Sequence, residues 1–182
     1  MINLEFSELV KKRRSIHFYT DEPVTEDELN YILEAARWAP SAGNVQPTRF
    51  IVVRKEETRQ KVWKSTTKIK GVNPQNFILK APVHIIVLTE PTAYKGRQSQ
   101  VKSELFSIQD SSAAIMNLLL AVTDLGMGAC WVGLFNQESL REDLQIPSYL
   151  IPVAIIPVGH TQSKEKPRKR KPLKDIVFYE TM

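Results

Sequence analysis

The stretch from about Glu104 to Leu125 is apolar around most of its circumference, with alanine, isoleucine, methionine and leucine on successive turns. A helix that is hydrophobic on nearly all sides has to be covered by other elements. We therefore predict a buried central helix that ends at Gly126, a residue typical of helix C-termini. Asn117 interrupts the longest apolar run, so no run is expected to approach the roughly 20 residues that span a bilayer.

Segments typical of strands alternate with helical segments on either side of this central helix. Continuous apolar, β-branched runs predict strands at 49–54, 83–88, 129–135 and 153–159. Apolar residues at helical spacing predict further helices at about 7–13, 26–38, 56–66 and 138–144. This order indicates a layered α/β or α+β structure. The chain has no internal repeat and no evident linker, so residues 1–182 are expected to form a single domain.

Local signals refine three of these elements. Thr25 and Glu28 have the spacing of a capping box at the start of the second helix. Ser7 is expected to cap the first helix. Pro157 lies inside the last strand and favours an edge or bulge position for it, because proline cannot donate to a central ladder.

The basic residues are concentrated in two short segments near the ends of the chain. Residues 164–174 hold seven basic residues and one acidic residue, and residues 11–14 are all basic, whereas the whole chain has a net charge of +5. A nucleic-acid-binding module that uses the 164–174 segment is one interpretation, although such proteins more often spread basic residues over a wide face. Two compact clusters fit a smaller anion if the fold brings them together.

The cysteine and histidine content argues against a metal site. Cys130 is the single cysteine, and the three histidines, His17, His84 and His160, are far apart in the sequence. We expect Cys130 to be a buried small hydrophobic residue, in a protein located in the reducing cytoplasm. The sequence also lacks a Ser-His-Asp arrangement, a G-x-G-x-x-G motif, a Walker loop and a signal-peptide pattern.

Residues 39–47 form a loop of small and amide residues between the second helix and the first strand. Ser41, Asn44 and Gln46 both donate and accept hydrogen bonds, and Gly43 lets the backbone approach a ligand closely. Such a loop suits a flat heterocycle edged with carbonyl groups and ring nitrogens. A polar turn without a ligand is the alternative interpretation.

Two further segments have groups suited to the same kind of ligand. Arg13, Arg14 and Ser15 place two guanidinium groups and a hydroxyl where a helix ends, a combination that binds phosphate well. Residues 126–133 bring small residues to the start of a strand, where a large ring can lie against the backbone. Each segment also has a purely structural interpretation, as a solvated helix end or as a cap followed by a core strand.

The chain resembles the nitroreductase family of flavin enzymes in four segments taken together. These are Arg13-Arg14-Ser15, Pro40-Ser41-Ala42-x-Asn44-x-Gln46-Pro47, the 126–133 segment, and Arg168-x-Arg170-Lys171-Pro172-Leu173. The resemblance extends over about residues 6–179. It implies an α+β fold with a mostly antiparallel central sheet flanked by helices, in an intertwined homodimer with two FMN molecules at the interface.

The resemblance also implies a role for each segment. The FMN phosphate and nearby flavin atoms would be held by Arg13, Arg14, Ser15, Arg168 and Arg170. The flavin of the partner subunit would be lined by Pro40, Ser41, Ala42, Asn44 and Gln46. The backbone of Trp131, Val132 and Gly133 would approach the ring near N5. Hydride would pass from NADH or NADPH to N5 and then, in a ping-pong reaction, to nitroaromatics, quinones or similar acceptors, with no catalytic side chain.

Two positions depart from the family's pattern, and one segment is placed only by its position in the chain. Thr48 stands where the family favours Trp after the Gln-Pro pair, a change expected to alter packing rather than chemistry. His17 stands where the family commonly has Arg or Lys near the flavin N1 and O2 edge, so reduction is expected to depend on pH near a histidine pKa of about 6.5. Residues 90–106, with Tyr94, Arg97 and Phe106, are a candidate cover for the substrate face. A flavin-fold enzyme with another reaction, such as dehalogenation or flavin fragmentation, is an alternative.

Overall fold

Five helices and four strands make up the regular structure of residues 5–71, 73–96 and 99–182, the part of the chain described by a computed structural model. The helices are α1 (Phe6–Lys12), α2 (Glu26–Arg37), α3 (Glu56–Thr67), α4 (Gln100–Asp124) and α5 (Gln137–Leu144). The strands are β1 (Thr48–Val53), β2 (Val83–Thr89), β3 (Gly128–Ala129) and β4 (Ile151–Gly159). Short turns of 3-10 helix lie at Ala42–Asn44, Asn76–Lys80, Pro91–Tyr94 and Leu173–Asp175.

The four strands form one sheet in the order β1-β2-β4-β3, and each neighbouring pair is antiparallel. Strand β2 is buried along its whole length because helices cover both faces of the sheet. Ile85 and Val87 pack with α2 and α4 on one face, whereas Ile86 and Leu88 pack with α3 and α5 on the other. The alternation of side chains across the strand thus produces three layers. The predicted α+β fold, with a mostly antiparallel sheet flanked by helices, is confirmed.

Helix α4 is the predicted central helix, and Gly126 follows it with a φ of 73°. Asn117, the residue that interrupts the apolar run, donates from Nδ2 to the Ala35 carbonyl on α2 at 3.1 Å. By length and composition alone, the 23 residues Lys102–Asp124 are apolar enough to cross a membrane, so the expectation that no run approaches that length is wrong. Just under half of the most apolar window is buried inside the protein, and the core helix of a soluble protein meets the same criterion.

The sheet departs from the prediction at its β3 edge. Strand β3 has two residues instead of the seven expected, because the chain leaves the ladder after Ala129, and Val132 then pairs again with Ile155. Strand β4 lies inside the sheet, and its register shift lies at Pro152–Ala154 opposite Val87 and Leu88, so neither the edge nor the bulge predicted from Pro157 is found at that residue. The Pro157 carbonyl accepts from the Cys130 N–H at 3.4 Å, on the side of β4 where the β3 ladder has already ended. Proline is tolerated there because the N–H that it lacks would face the same side, where its absence interrupts no ladder.

The two predicted helix caps have different outcomes. At α2, Thr25 and Glu28 form the predicted capping box, with each side chain accepting from the backbone N–H of the other. At α1, Glu5 is the N-cap residue and makes no side-chain cap hydrogen bond, so the prediction that Ser7 caps this helix is wrong.

Candidate functional site

The segment that follows α1 runs along the outer edge of β3. Ser15 pairs in parallel with Ala129, and the N–H of the next residue, Ile16, donates to the Ala129 carbonyl at 2.9 Å. Ile16 is buried, which fixes the segment against the sheet. The pairing therefore sets the positions of the flanking residues Arg13 and His17.

Cys130 is the point where these side chains meet. Its Sγ lies 3.4 Å from Nε2 of His17, whose ring packs on Phe77 with the two centroids 4.3 Å apart. Burial raises the pKa of the Cys130 thiol, while a hydrogen bond with Ser15 and the charge of Arg13 act in the opposite direction. The structure thus groups Arg13, Ser15 and His17 around one buried thiol, and the expectation that Cys130 is buried is confirmed.

Arg14 turns back toward its own helix. Its guanidinium donates to the carbonyls of Lys11 and Arg13 at the C-terminus of α1, in the second case at 2.7 Å. These carbonyls carry the negative end of the helix dipole, which a guanidinium stabilises. The Nε atom of Arg14 is buried and has no hydrogen-bond partner among the described residues. The Arg13–Ser15 cluster, made up of Arg13, Arg14 and Ser15, therefore retains a buried donor that an anionic ligand would satisfy.

Residues 131–133 present an accessible backbone after Cys130. Val132 is buried and exchanges two hydrogen bonds of 3.0 Å with Ile155, so this part of the chain is held firmly against β4. A Cβ added at Gly133 would meet no atom within 4 Å. Trp131 is 40% exposed beside it. A flat ligand can therefore approach the backbone at Gly133.

The loop from Pro40 to Pro47 is held in shape by its own polar groups. Ser41 Oγ accepts from the Gln46 backbone N–H at 2.9 Å, and the Gln46 side-chain amide donates to Asn44 Oδ1 at 3.1 Å. Gly43, Asn44 and Gln46 have φ values of 59°, 53° and 53°. Left-handed backbone of this kind is readily adopted by glycine and is costly for most other residues. The loop is thus a defined turn that requires support.

A cavity of about 670 Å³ opens between this loop, α2, α4 and the start of β1. The loop contributes Pro40, Ser41 and Gln46 to its lining. Asp110 of α4 also lines the cavity, and both of its carboxylate oxygens accept from the Ala42 N–H at 3.3 Å. The cavity has the size of a small-molecule site.

The loop and the Arg13–Ser15 cluster lie at opposite corners of the sheet. The loop leads into Thr48 at one end of β1, an edge strand that pairs there with the last residue of β2. The cluster pairs with β3, the other edge strand, at the end of the sheet where β2 begins. Six residue steps along β2 correspond to about 20 Å, and three strand spacings add about 14 Å across the sheet. One chain therefore does not bring the two groups together.

The basic segment near the C-terminus leaves the body of the chain. Every residue from Lys164 to Met182 is exposed, and Arg170 donates to the carbonyls of Arg168 and Lys169 within the same segment. Apolar side chains follow the basic residues, and Tyr179 is 84% exposed. Arg168 and Arg170 are thus presented to solvent together with an apolar stretch.

The 90–106 segment contains a contact that the sequence did not indicate. Tyr94 is only 2% exposed, its ring lies 6.1 Å from that of Phe106, and its hydroxyl donates to Asp110. Arg97 lies outside the described residues. No local pattern marks Asp110 as a site residue, because Ala42 precedes it by 68 positions.

Comparisons with known proteins identify the family. The model of the nitroreductase family matches residues 10–160. The chain is 38% identical over 162 residues to a Methanothermobacter thermautotrophicus protein whose name gives NADH dehydrogenase and NAD(P)H nitroreductase as alternatives, with coverage of 86% of this chain and 78% of that protein. It is 29% identical to the FMN reductase (NAD(P)H) of Bacillus subtilis, covering 92% of this chain and 70% of the relative.

A solved structure agrees with these sequence relatives. The nitroreductase family protein from Clostridium difficile 630 is 31% identical, has a TM-score of 0.80, and matches 98% of this chain and 100% of its own. The family that the four sequence segments resemble is thus confirmed by independent comparisons of sequence and structure. Because the family model spans most of the chain, the protein belongs to the nitroreductase family.

Proposed function

We propose that the protein is an FMN-dependent NAD(P)H oxidoreductase that functions as a homodimer. The observation that carries this proposal is the grouping of Arg13, Ser15 and His17 next to the open backbone of residues 131–133. Cationic and hydroxyl donors beside an accessible backbone suit a ligand with an anionic end and a flat ring. The name of the Bacillus subtilis relative supports FMN and NAD(P)H as the cofactor and the electron donor.

The donors of the cluster fit the phosphate group of FMN. Arg13 and Ser15 supply a guanidinium and a hydroxyl, and the Nε atom of Arg14 is a buried donor without a partner among the described residues. A phosphate oxygen would satisfy such a donor. Arg168 and Arg170 would add charge from the exposed C-terminal segment.

The flavin ring would lie against the backbone of Trp131, Val132 and Gly133. Bound there, FMN would supply the redox chemistry between NAD(P)H and a second substrate, which we propose to be ping-pong. The protein's own residues bind the ring, orient it and surround it with positive charge. His17, which packs on Phe77, would place its imidazole at one edge of the ring.

The separation within one chain supports a homodimer. The loop that contains Ser41, Asn44 and Gln46 is too far from the Arg13–Ser15 cluster for both to touch one ring. A two-fold symmetric pair of chains would place the loop of one copy beside the cluster of the other and form two equivalent sites. Exposed apolar side chains, among them Trp38 at 73%, provide a surface that a second copy would cover.

The acceptor and the location are part of the same proposal. Nitroaromatics are proposed as acceptors on the strength of the relatives' names, and quinones because they also take two electrons. A cytoplasmic location is proposed because Cys130 is unpaired and buried.

The absorption spectrum of the purified protein tests the proposal directly. Flavin bands should be present and should bleach when NADH or NADPH is added without oxygen. The Arg13→Ala variant should bind FMN at least tenfold more weakly, because a charge-assisted hydrogen bond to phosphate is lost. The neighbouring Lys12→Ala variant is the matched control and should stay within about twofold of the wild type. A protein that stays colourless after incubation with FMN contradicts the proposal.

A further inference from the structure

Asp110 of helix α4 joins the loop of residues 40–47 to the 3-10 turn that follows β2. Both of its carboxylate oxygens accept from the Ala42 N–H at 3.3 Å, and one of them also accepts from the Tyr94 hydroxyl. Tyr94 is the last residue of the 3-10 turn Pro91–Tyr94 and is buried. A single half-buried carboxylate therefore fixes the beginning of the loop to the end of this turn.

The same turn also holds the far end of the loop. The Glu90 N–H, just before the turn, donates to the Pro47 carbonyl at 3.0 Å. The Arg49 guanidinium donates both to the Gln46 carbonyl at 2.9 Å and to the Glu90 carboxylate at 2.7 Å. The segment from Glu90 to Tyr94 thus contacts both ends of the loop, directly at one end and through Asp110 at the other.

The backbone of the loop explains why two attachments are needed. Asn44 and Gln46 have φ values of 53°, in the left-handed region that side-chain-bearing residues rarely adopt. Such a conformation persists only where the surrounding structure determines it. Without the attachment at Ala42, the beginning of the loop would keep only its internal hydrogen bonds, such as that from the Gln46 N–H to Ser41 Oγ, to hold this backbone in place.

From these contacts we infer that Asp110 is a positioning residue, which holds the 40–47 loop in the conformation that receives the cofactor of the partner subunit. This inference rests on the proposed function, in which the loop lines the flavin of the other copy. In this role Asp110 acts through the Ala42 amide that it holds. The buried Tyr94 is a second positioning residue, because its hydroxyl orients the Asp110 carboxylate.

Helix α4 takes part in a second tyrosine–aspartate hydrogen bond, which has no connection to the 40–47 loop. On the same helix, fourteen residues further on, Asp124 accepts from the hydroxyl of Tyr31 at 2.7 Å. The Tyr31–Asp124 pair therefore has the same chemistry and lies on the same helix, at its far end from the loop. Removal of Asp124 controls for the general effect of deleting a tyrosine–aspartate hydrogen bond from α4.

The experiment compares full-length Asp110→Ala, Asp110→Asn and Tyr94→Phe with the Asp124→Ala control. The first readout is hydrogen exchange of the amides of residues 42–46 in the FMN-free protein, and the second is the FMN dissociation constant from fluorescence quenching. We expect Asp110→Ala to accelerate exchange at Ala42 and to weaken FMN binding, each by about tenfold or more. Tyr94→Phe and Asp110→Asn should show smaller changes in the same direction, because each keeps an acceptor for the Ala42 amide. The control should change both quantities by less than about twofold.

The two readouts separate this inference from the proposed function. If the wild type takes up no FMN, the proposed function fails, and the exchange rate at Ala42 still decides whether Asp110 holds the loop. If the wild type binds FMN and Asp110→Ala leaves both quantities unchanged, the inference is overturned and the proposed function stands. Equal effects of Asp110→Ala and Asp124→Ala would likewise overturn it, since they would show a general loss of stability. Should Asp110→Ala fail to fold, Asp110→Asn and Tyr94→Phe give the same comparison.

Discussion

At the scale of single residues, His84 shows how burial makes stability depend on pH. Its Nε2 donates to the Ile78 carbonyl at 2.8 Å, and its Nδ1 is buried with no hydrogen-bond partner among the described residues. Burial lowers the pKa of His84 to about 4, the hydrogen bond to Ile78 opposes this shift, and the charge of Arg59 adds to it. Because an exposed histidine has a pKa of about 6.5, the unfolded chain binds more protons than the folded chain between these two values.

We expect the contribution of His84 to the free energy of unfolding to have its full value above about pH 6.5. It should fall by up to about 3 kcal/mol as the pH drops toward 4. The His84→Gln variant, which keeps an amide donor for the Ile78 carbonyl, should lose most of this slope. Urea unfolding at several pH values between 4.5 and 7 measures it. The exposed His17, replaced in His17→Gln, serves as the control and should leave the slope unchanged. Parallel slopes in wild type and His84→Gln would show that another group is responsible.

The residues of the candidate site differ in how far the sequence alone identifies them. Arg13, Arg14 and Ser15 follow one another in the chain, so the sequence identifies them as a group, whereas only the structure shows that Arg14 turns back toward α1. The contact of His17 with Cys130 joins positions 113 residues apart. It depends on the pairing of Ser15 with Ala129 at the edge of β3. Asp110 could not be predicted, because the amide that it accepts from belongs to a loop that only the tertiary fold brings near α4.

At the scale of elements, the capping box of α2 makes a contribution that can be isolated. Thr25 Oγ1 accepts from the Glu28 N–H at 3.2 Å, and the Glu28 carboxylate accepts from the Thr25 N–H at 2.8 Å. We expect Thr25→Ala to lower the free energy of unfolding by about 1 kcal/mol, since the Glu28 N–H at the helix start loses its acceptor and the Glu28 carboxylate loses the Thr25 hydroxyl. Equilibrium unfolding in urea measures the change.

A control for this prediction comes from the other helix start. Ser7 is the second residue of α1, and the N-cap residue Glu5 makes no side-chain cap hydrogen bond, so Ser7→Ala should change the free energy of unfolding by less than about 0.5 kcal/mol. Comparable losses in Thr25→Ala and Ser7→Ala would contradict the assignment of the box as the stabilising feature.

Elements were predictable where their signals are short-range. The α2 box, the apolar centre of β2 and the apolar part of α4 all follow from neighbouring residues, whereas α4 begins at Gln100, four residues before the predicted start. Strand order does not, because it is set by pairing between distant segments. Pro157 therefore suggested an edge or a bulge for β4, whereas the proline is paired with β2 and the short β3 leaves no ladder to interrupt on its other side.

At the scale of the whole molecule, the sheet separates the two halves of the candidate site. The 40–47 loop lies beyond one edge strand and the Arg13–Ser15 cluster beyond the other, at the opposite strand end. The exposed 164–182 segment adds basic and apolar groups that the rest of the same chain leaves uncovered. A site shared between two copies of the chain would therefore use all of the predicted residues.

A mixed dimer tests this arrangement. Two differently tagged copies are co-expressed, one carrying Arg13→Ala and the other carrying Gln46→Ala, and dimers that hold both tags are purified. If each site takes the cluster from one copy and the loop from the other, one site of the mixed dimer carries both lesions and the second site is intact. We then expect about half of the wild-type FMN content, measured by flavin absorbance. If each site is built within one chain, every site carries one lesion and no binding is recovered. Mixed-tag dimers with Arg13→Ala in both copies give the baseline, because they have a lesion in every site under either arrangement.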